Sequence, residues 1–491
     1  MFKKVKSFLF ENQTLRQTIA KNSFWMALGQ IGGRLLRAII IVYAARVLGA
    51  AGWGTFSYAV SLAAFLSIFV DLGISQILTR ETAKTSDPGL RSKIISTSFI
   101  IKAILMVVAI LIVVFIAPLV TKIEAAKTIL PIIALVLAFD GLREFGSSIA
   151  RALERMEWEA GIFLLTNVAI VTAGFVALTV TPSVVSFTYA YAVGTGIGVA
   201  ATAYVLRRYI RKLLVDFQWK LVRSILSASW PIAISGALSG IMINTDLLFI
   251  GFFRSAEEVG YYSAAERIIM LLYIVPSILA SSIFPAFSRL AASGNNQKMR
   301  DGLERVIGIV LAVAIPTALV GIVLASGVIE ILFGASYLPA THSFQILLLA
   351  IVFTFPAAIL SNTLFAYDRQ KALVTFTLIG GIGNVAFNLI LIPYLGIVGS
   401  AIATIIAQCI ANVYLWNKMK NVNNFHILPH LKKIVPAAMG ITLIIWLLSL
   451  TNIHTLILVT LAPPIYIGLL YLLKEPLLKE IKLIIQPRQV G

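Results

Sequence analysis

The chain has 491 residues, of which 59% are hydrophobic and only 12% are charged, whereas about 25% of residues are charged in an average soluble domain. A net charge of +19 would suggest nucleic acid as the partner of a soluble protein. Here the basic residues stand in short segments between long apolar runs, which excludes nucleic acid and favours anionic membrane lipids. The single cysteine, Cys409, excludes a disulfide framework and a cysteine metal site.

A basic segment precedes the first apolar run. Phe2, Val5, Phe8 and Leu9 recur at helical spacing among lysines, which predicts that residues 1–21 form an interfacial helix on the cytoplasmic surface. A basic tail without such a helix is the alternative. The mixed composition and the absence of an A-x-A-like site argue against a cleavable signal peptide.

Fourteen apolar runs then follow, and most approach the about 20 residues that a helix needs to cross the hydrocarbon of a bilayer. Because no connecting segment is long enough for a separate soluble domain, the sequence predicts one all-α polytopic membrane protein of about 14 transmembrane helices. The runs are 22–45, 54–78, 94–116, 129–150, 160–180, 184–206, 225–252, 264–287, 306–325, 344–366, 372–393, 397–416, 434–450 and 456–473.

The basic residues are distributed unevenly between alternate connecting segments. With a cytoplasmic N-terminus, the cytoplasmic segments hold 31 of the 40 lysines and arginines, and the outer segments hold only Arg46, Lys122, Lys127 and Arg254. This asymmetry is the positive-inside rule. It predicts a multi-pass protein of the cytoplasmic membrane with both termini in the cytoplasm.

Three similarities indicate an internal repeat of six runs. The segment 54–57 (GTFS) corresponds to 260–263 (GYYS), and Trp25 near the start of the first run corresponds to Trp230 in the seventh. The segment 152–155 (ALER) corresponds to 366–369 (AYDR). Six is an even number, so both halves have the same orientation, as in parallel transporter repeats. We therefore predict six-helix bundles at 22–212 and 213–420, related by a pseudo-twofold axis with a cavity between them. Residues 421–491 add two helices and a tail.

Motifs for catalysis or cofactor binding are missing from the sequence. There is no G-x-x-x-x-G-K-[ST] and no H-E-x-x-H, and His426 and His430 have no acidic neighbour and are separated by Pro429. We therefore predict no enzyme activity, no cofactor and no metal site. Gly194 and Gly198, like the pairs Gly29/Gly33 and Gly236/Gly240, are better explained as small faces that let helices approach closely.

The topology and several segments resemble the multidrug/oligosaccharidyl-lipid/polysaccharide exporter superfamily, whose fold has two six-helix bundles. The chain is most similar to its polysaccharide branch, the O-antigen and related lipid-linked oligosaccharide flippases. The segments that carry the resemblance are 46–56 (RVLGAAGWGTF), 71–73 (DLG) and 80–81 (RE). The stretch from 260–267 (GYYSAAER) to 284–289 (FPAFSR) also resembles the lipid II flippases. The resemblance covers roughly the first 420 residues and implies a flippase.

Charged residues inside the runs are the candidate site residues. A charge near the bilayer centre costs about 2.5–3.5 kcal/mol on insertion scales, so such residues normally face a cavity or a partner. The basic ones are Arg34, Arg37, Lys102, Arg143 and Arg267, and the acidic ones are Asp71, Asp140, Glu144, Asp246 and Glu266.

The first run contains two arginines and no acid. Arg34 and Arg37 are three residues apart and therefore share one helical face. A guanidinium offers paired donors to phosphate oxygens and stays charged when it is desolvated. We predict that Arg37, which lies mid-run, and Arg34 bind a polyanionic headgroup in the central cavity. The resemblance implies that Arg267 also lines a cationic cavity, the alternative being an ion pair with Glu266 that orients helices.

The other charges allow more than one interpretation. Asp71, Lys102, Arg143 and Glu144 lie toward run ends on the predicted cytoplasmic side, which favours snorkelling or structural salt bridges, and Asp140 is placed to balance Arg143. We also consider Asp71, Asp140, Asp246 and Asn244 as counter-ions or as ligands of a coupling cation. The sequence does not separate these roles.

Three functional hypotheses follow. The first is a flippase that moves a polyprenyl-diphosphate-linked oligosaccharide from the inner to the outer leaflet. Its partners would be the membrane lipids and, in the same pathway, glycosyltransferases and a polymerase. The second is a cation-coupled multidrug exporter, which would need an acid in the first run and an acidic lumen. The third is a polytopic membrane enzyme, which would need a large extramembrane loop with paired acids. The sequence favours the flippase.

Overall fold

The computed structural model describes residues 15–211, 213–451 and 453–476, which form helices joined by short turns. The helices of the first part are α1 (Leu15–Asp71), α2 (Ile74–Lys84), α3 (Pro88–Leu111), α4 (Ala117–Val120), α5 (Glu124–Ala152), α6 (Met156–Val180), α7 (Val184–Val205), α8 (Arg207–Ile210) and α9 (Trp219–Phe253). They are followed by α10 (Ala256–Leu272), α11 (Ile274–Ala292), α12 (Asn296–Phe333), α13 (Thr341–Ala366), α14 (Gln370–Val422), α15 (Leu428–Ser449) and α16 (Thr455–Leu472). A π-helical turn (Ile112–Ile116) joins α3 to α4, and a 3₁₀ turn (Ala335–Ala340) precedes α13.

The predicted all-α membrane architecture is confirmed. Within the described residues, 12 helices are long and apolar enough to cross a membrane. Two of them, α1 and α14, pass through a kink and supply two apolar arms each, which accounts for the fourteen runs in the sequence. Most of the predicted interfacial segment 1–21 and of the tail lies outside the described residues.

Glycines produce the two kinks. Gly49 in α1 has φ 68° and ψ 175°, and Gly396 in α14 has φ 57° and ψ −137°. With ψ at 175° or −137°, these positive φ angles lie outside the left-handed helical region that other residues can adopt, so both bends depend on residues without a Cβ. The first kink separates the arm that carries Arg34 and Arg37 from the arm that ends at Asp71.

We expect Gly49→Ala to destabilise the protein by about 1–3 kcal/mol, the range for a residue held in a glycine-only backbone region. The space beside Gly49 is empty within 4 Å of an added Cβ, so the cost is conformational rather than steric. Gly161→Ala is the matched control, because its Cβ also meets nothing within 4 Å while its backbone is helical. Thermal unfolding in detergent should show a lower midpoint for Gly49→Ala alone. Equal midpoints for both variants would contradict the assignment.

Helix α3 illustrates how the apolar sequence is arranged for lipid. Its exposed side chains Ile104, Val107, Val108 and Leu111 are 60%, 53%, 49% and 49% exposed, and their spacing places them on one helical stripe. The buried stripe carries polar residues, including Lys102. This reversal of the soluble pattern follows from the bilayer, where an apolar face is solvated by lipid and polar groups turn inward.

The chain divides into two compact units, Met1–Gly260 and Tyr261–Gly491. Helix α9 packs within the first unit along the second arm of α1, because Gly240 and Gly251 leave room for Ile68 and Tyr58. Added Cβ atoms at these glycines would lie 1.8 Å and 2.3 Å from those side chains. The predicted bundle boundary at 212/213, the pseudo-twofold axis and the cavity between halves stay predictions.

Most of the predicted small faces are confirmed as close helix contacts. A Cβ at Gly29 would lie 3.1 Å from Ala160, and one at Gly33 would lie 2.3 Å from the Phe163 ring, so α6 approaches α1 closely. Gly194 and Gly198 of α7 meet α6 in the same way, with added Cβ atoms 2.5 Å from Ile170 and 2.2 Å from Thr166. Gly236 differs, because nothing lies within 4 Å of its added Cβ.

One pair of repeat segments adopts the same local structure. Helices α5 and α13 both end in a turn where a non-glycine residue, Glu154 or Asp368, has positive φ (57° and 58°). The amide of the next residue then donates across six residues, from Arg155 to Ala150 O and from Arg369 to Leu364 O, both 2.9 Å. This is a Schellman cap, which also ends α16 at Lys474 (φ 52°), so the repeat stays a prediction.

The first glycines of another pair of repeat segments, Gly54 and Gly260, both make close contacts inside the first unit. A Cβ at Gly54 would lie 1.7 Å from the carbonyl oxygen of Ala256, and a Cβ at Gly260 would lie 2.0 Å from that of Ala50. The two glycines therefore allow the backbone of α1 to contact the segment 256–260 within the first unit. Only glycine permits an approach this close.

In the second unit the two additional helices pack on α12. Helix α15 lies against α12, and α16 packs against both. Gly327 of α12 allows the approach of α16, because an added Cβ would lie 2.2 Å from Thr455 Oγ1. The additional helices are thus attached to the unit through its long, largely buried central helix.

Candidate functional site

A cavity of about 710 Å³ lies inside the first unit, between α1, α2, α3, α5, α7 and α9. Its walls are largely Val, Ile, Leu, Ala and Gly side chains, among which ionisable residues converge from three helices. A concave, mostly apolar pocket with a few polar groups is the usual form of a ligand site. The charged and larger polar residues that line it are Arg37, Asp71, Gln76, Lys102, Asp140, Arg143, Glu144 and Tyr191.

Lys102 forms an ion pair with Asp71 on one side of this cavity. The Nζ–Oδ1 distance is 2.7 Å, and Nζ also lies 2.9 Å from Ser75 Oγ. The Lys102 side chain is only 5% exposed, so two acceptors hold a nearly desolvated ammonium. The prediction of a structural salt bridge for these two residues agrees with this geometry, although both also line the cavity.

A network of acids and arginines occupies α5. Arg143 pairs with Asp140 one turn earlier, at 3.1 Å, and stacks over the Phe163 ring at 5.5 Å. Arg151 bridges two carboxylates, Glu144 at 2.5 Å and Glu159 at 2.6 Å. The predicted pairing of Asp140 with Arg143 is therefore present.

Arg143 and Glu144 also line a second, smaller cavity. It has a volume of about 90 Å³ and includes Trp25, Gln30 and Glu159 among its lining residues. The two cavities share the Arg143–Glu144 wall. The charged network on α5 therefore lies between the larger cavity and the start of α1.

Arg37 differs from the other cavity cations. Its Nε donates to Asn167 Oδ1 at 3.0 Å, and its guanidinium lies 5.7 Å from the centre of the Tyr191 ring. Among the described residues no carboxylate lies within salt-bridge distance of it. Its positive charge is held by a neutral amide and an aromatic face, so it remains available to an anion in the cavity.

Acidic side chains also line this cavity. Three carboxylates (Asp71, Asp140 and Glu144) line the first-unit cavity beside three cations (Arg37, Lys102 and Arg143). The reason is spacing, since Asp140 and Glu144 are four residues apart and face the same way from α5. Each of these carboxylates has its own basic partner.

Other predicted site residues lie elsewhere. Arg34 is exposed and does not line this cavity. Asn244 donates to the Gly240 carbonyl of its own helix at 3.0 Å, and Asp246 is 5% exposed, in α9. Arg267 and Glu266 lie on α10 in the second unit, where Arg267 Nη1 is 3.9 Å from Met270 Sδ. The roles predicted for these five residues stay predictions.

Sequence reasoning missed two residues that contact Arg37 and one buried ion pair. Asn167 is a lone amide within the fifth apolar run and could have been noticed on that ground, whereas Tyr191 gives no distinguishing signal. Lys21 was counted among the cytoplasmic cations, but its side chain is 0% exposed and pairs with Glu157 at 2.9 Å. Only the packing of α1 against α6 reveals that pair.

The helices define a multi-pass membrane protein with the fold of the multidrug/oligosaccharidyl-lipid/polysaccharide (MOP) exporters. The solved structure of the lipid II flippase MurJ in an inward closed conformation matches with a TM-score of 0.78 at 19% identity, over 92% of this chain and 99% of that chain. An inward-facing multidrug resistance transporter of the MATE family matches with a TM-score of 0.65 at 19% identity, over 79% of this chain and 94% of that chain. These likenesses confirm the predicted fold class.

The family follows from the sequence comparisons. The model of the polysaccharide biosynthesis protein family matches residues 19–291, more than half of the chain, and the MatE model matches residues 231–390. The chain therefore belongs to the polysaccharide biosynthesis protein family.

Two relatives match most of the chain. A Shigella flexneri protein assigned as an O-antigen transporter is 22% identical over 426 residues, covering 82% of this chain and 99% of that protein. Agl15 of Haloferax volcanii, named as a probable flippase of low-salt glycan biosynthesis, is 23% identical over 396 residues, covering 80% of this chain and 82% of that protein.

Proposed function

We propose that this protein is a transporter rather than an enzyme, namely a flippase for a polyprenyl-diphosphate-linked oligosaccharide. It moves this lipid from the inner to the outer leaflet of the cytoplasmic membrane by alternating access, during biosynthesis of a cell-surface polysaccharide. The family and the relatives named for O-antigen transport and glycan flipping support the class. The observation that supports the substrate is Arg37, a cavity cation that pairs with no carboxylate in the part of the chain that the structure describes.

The physical problem of flipping is the diphosphate. Removing its charges from water without partners is prohibitive in hydrocarbon, whereas the polyprenyl tail is soluble there. A guanidinium replaces the lost hydration with charge-assisted hydrogen bonds to two phosphate oxygens. Arg37 offers this inside the first-unit cavity, whose walls are mostly apolar side chains. The tail stays in the bilayer while headgroup and glycan pass through the protein.

A cation-coupled multidrug exporter is the second candidate, favoured by the three cavity carboxylates and by the MatE match. A cationic drug would need at least one of these carboxylates to be available. Lys102, Arg143 and Arg151 each occupy one of them at 2.5–3.1 Å. The cavity therefore offers Arg37 to an anion, whereas each of its three carboxylates already pairs with a basic side chain. This supports the flippase.

The orientation and partners extend the proposal. The excess of lysine and arginine in alternate segments supports a cytoplasmic location for both termini. The lipid-linked substrate is then loaded from the inner leaflet, where glycosyltransferases assemble it, and is delivered to a polymerase outside. Arg34, Arg267 and Glu266 are proposed to add contacts to the headgroup or glycan.

The decisive experiment is flipping by the purified protein in vesicles. A fluorescent polyprenyl-diphosphate oligosaccharide is incorporated in both leaflets, and its accessibility to an added membrane-impermeant quencher is followed. We expect protein-dependent translocation of this lipid and none of a cationic dye. Export of the dye without translocation of the lipid would replace the flippase with the exporter.

We also expect flipping to be independent of ATP, because the chain has no nucleotide-binding motif. Any drive comes from mass action, an ion gradient or the membrane potential, which supplies about 2.3 kcal/mol per charge at 100 mV. Initial rates with and without ATP inside the vesicles should be equal. A rate that rises with ATP and falls with a non-hydrolysable analogue would contradict this expectation.

A further inference from the structure

The amide of Asn167 is oriented by its surroundings. Asn167 lies on α6 and is 1% exposed. Its Nδ2 donates to the Phe163 carbonyl oxygen at 2.7 Å, and its Oδ1 accepts from Arg37 Nε at 3.0 Å. A carbonyl oxygen can only accept and a guanidinium can only donate. Both neighbours therefore require the same orientation of the amide.

Close helix packing brings Asn167 within reach of α1. Gly33, one turn before Arg37, faces α6, and an added Cβ there would lie 3.0 Å from Asn167 Nδ2 and 2.3 Å from the Phe163 ring. A larger residue at position 33 would displace both. The missing side chain at Gly33 is thus a condition for the Arg37–Asn167 contact.

This contact determines which N–H donors of Arg37 remain available to a ligand in the cavity. A guanidinium carries five N–H donors, one on Nε and four on the two terminal nitrogens. Asn167 uses the Nε–H, and the Tyr191 ring lies 5.7 Å from the guanidinium carbon. Since Arg37 lines the cavity, the terminal nitrogens remain for a ligand. That paired edge is the one that matches two phosphate oxygens.

The neutrality of Asn167 separates Arg37 from the other cations of the network. Lys102, Arg143 and Arg151 each have a carboxylate partner between 2.5 and 3.1 Å away. An aspartate in place of Asn167 would still accept from Arg37, but it would cancel the charge of Arg37 and lose the donor to the Phe163 carbonyl oxygen. The neutral acceptor fixes the side chain and leaves the charge for a ligand.

We propose that Asn167 is a positioning and specificity-determining residue, which holds the Arg37 guanidinium by a neutral hydrogen bond so that its terminal nitrogens bind the diphosphate of the substrate. This rests on the proposed flippase function. Asn167 acts through Arg37 and does not line the cavity itself.

The test measures binding of farnesyl diphosphate, a short polyprenyl diphosphate, to the purified protein in detergent. A charge-assisted contact contributes about 1.5–3 kcal/mol, so we expect Asn167→Asp to weaken binding about 10- to 100-fold. Asn167→Leu, which cannot hold Arg37, should also weaken it, but less, because the positive charge remains. Farnesol, which lacks the diphosphate, should bind all variants equally.

A double-mutant cycle separates positioning from a purely structural role. In the Arg37→Ala background, Asn167→Asp should have little further effect, because the residue that it neutralises is gone. Asn362→Asp is the control, since Asn362 also donates to its own helix, to Ala358 O at 2.9 Å, and does not line this cavity. It should bind like the wild type. Thermal unfolding of every variant checks folding.

The outcomes distinguish the two proposals. If the wild type does not prefer farnesyl diphosphate to farnesol, the proposed function fails. If the wild type binds the diphosphate but Asn167→Asp binds it equally well, or weakens binding to the same extent with and without Arg37, the role of Asn167 is wrong.

Discussion

Arg37→Ala should lower the rate of flipping about 10- to 100-fold, because it removes charge-assisted hydrogen bonds of about 1.5–3 kcal/mol from the translocating diphosphate. A flippase-deficient strain carrying this variant should therefore fail to export its polysaccharide. Arg37→Lys should recover only part of the activity, since it keeps the charge but loses the forked donors. The measurement is the translocation rate in vesicles, with complementation as the cellular counterpart.

The control for Arg37 removes a positive charge elsewhere. Lys127 pairs with Glu124 at 2.6 Å near the start of α5, where the Glu124 side chain is 80% exposed, so Lys127→Ala should flip normally. Arg34→Ala tests the separate prediction for Arg34, three residues earlier on α1. Normal flipping by correctly inserted Arg37→Ala would remove the main support for the anionic headgroup mechanism.

Lys21→Met should destabilise the fold by about 3–5 kcal/mol, the range for a buried ion pair that loses one partner. Lys21 is 0% exposed, and Glu157 would be left almost fully buried without it. Arg155 Nη1 lies 3.3 Å from the other oxygen of Glu157, so we expect the lower end of this range. Chemical unfolding in detergent, followed by fluorescence, measures the change.

Two further variants test this explanation. In the double variant Lys21→Met with Glu157→Leu, both charges are replaced by apolar groups, and most of the lost stability should return. Lys84→Met removes one partner of the exposed Lys84–Glu81 pair, whose side chains are 61% and 34% exposed, and should cost about 0–1 kcal/mol. Equal losses for Lys21→Met and Lys84→Met would show that burial of the pair is not what matters.

The fold was largely predictable because lipid imposes a strong constraint on sequence. A helix that crosses hydrocarbon must be apolar over about 20 residues, so the runs mark the helices directly. Gly29, Gly33, Gly194 and Gly198 were also predictable as close contacts, since small residues in a span let helices approach each other. The sequence did not predict the kinks at Gly49 and Gly396, because a glycine in a span can serve either a bend or a close helix contact.

The candidate site was predictable only as a set of charges. Their positions inside apolar runs marked Arg37, Lys102, Asp71 and Asp140 as unusual, because an intramembrane charge requires a cavity or a partner. The pairing of Asp140 with Arg143, which share one helix, was correct. The pairing of Lys21 with Glu157, which are 136 residues apart, was missed.

The sequence by itself determined the membrane class, the number of apolar spans and the presence of buried charges, because each depends on local composition. Only the tertiary structure decided which charges are neutralised. Arg34 and Arg37 look alike in the sequence. In the structure Arg37 lines a cavity and donates a hydrogen bond to Asn167 on another helix, whereas Arg34 is exposed. The physical reason is that electrostatic partnership depends on distances between helices, and these are set by side-chain packing that no local pattern encodes.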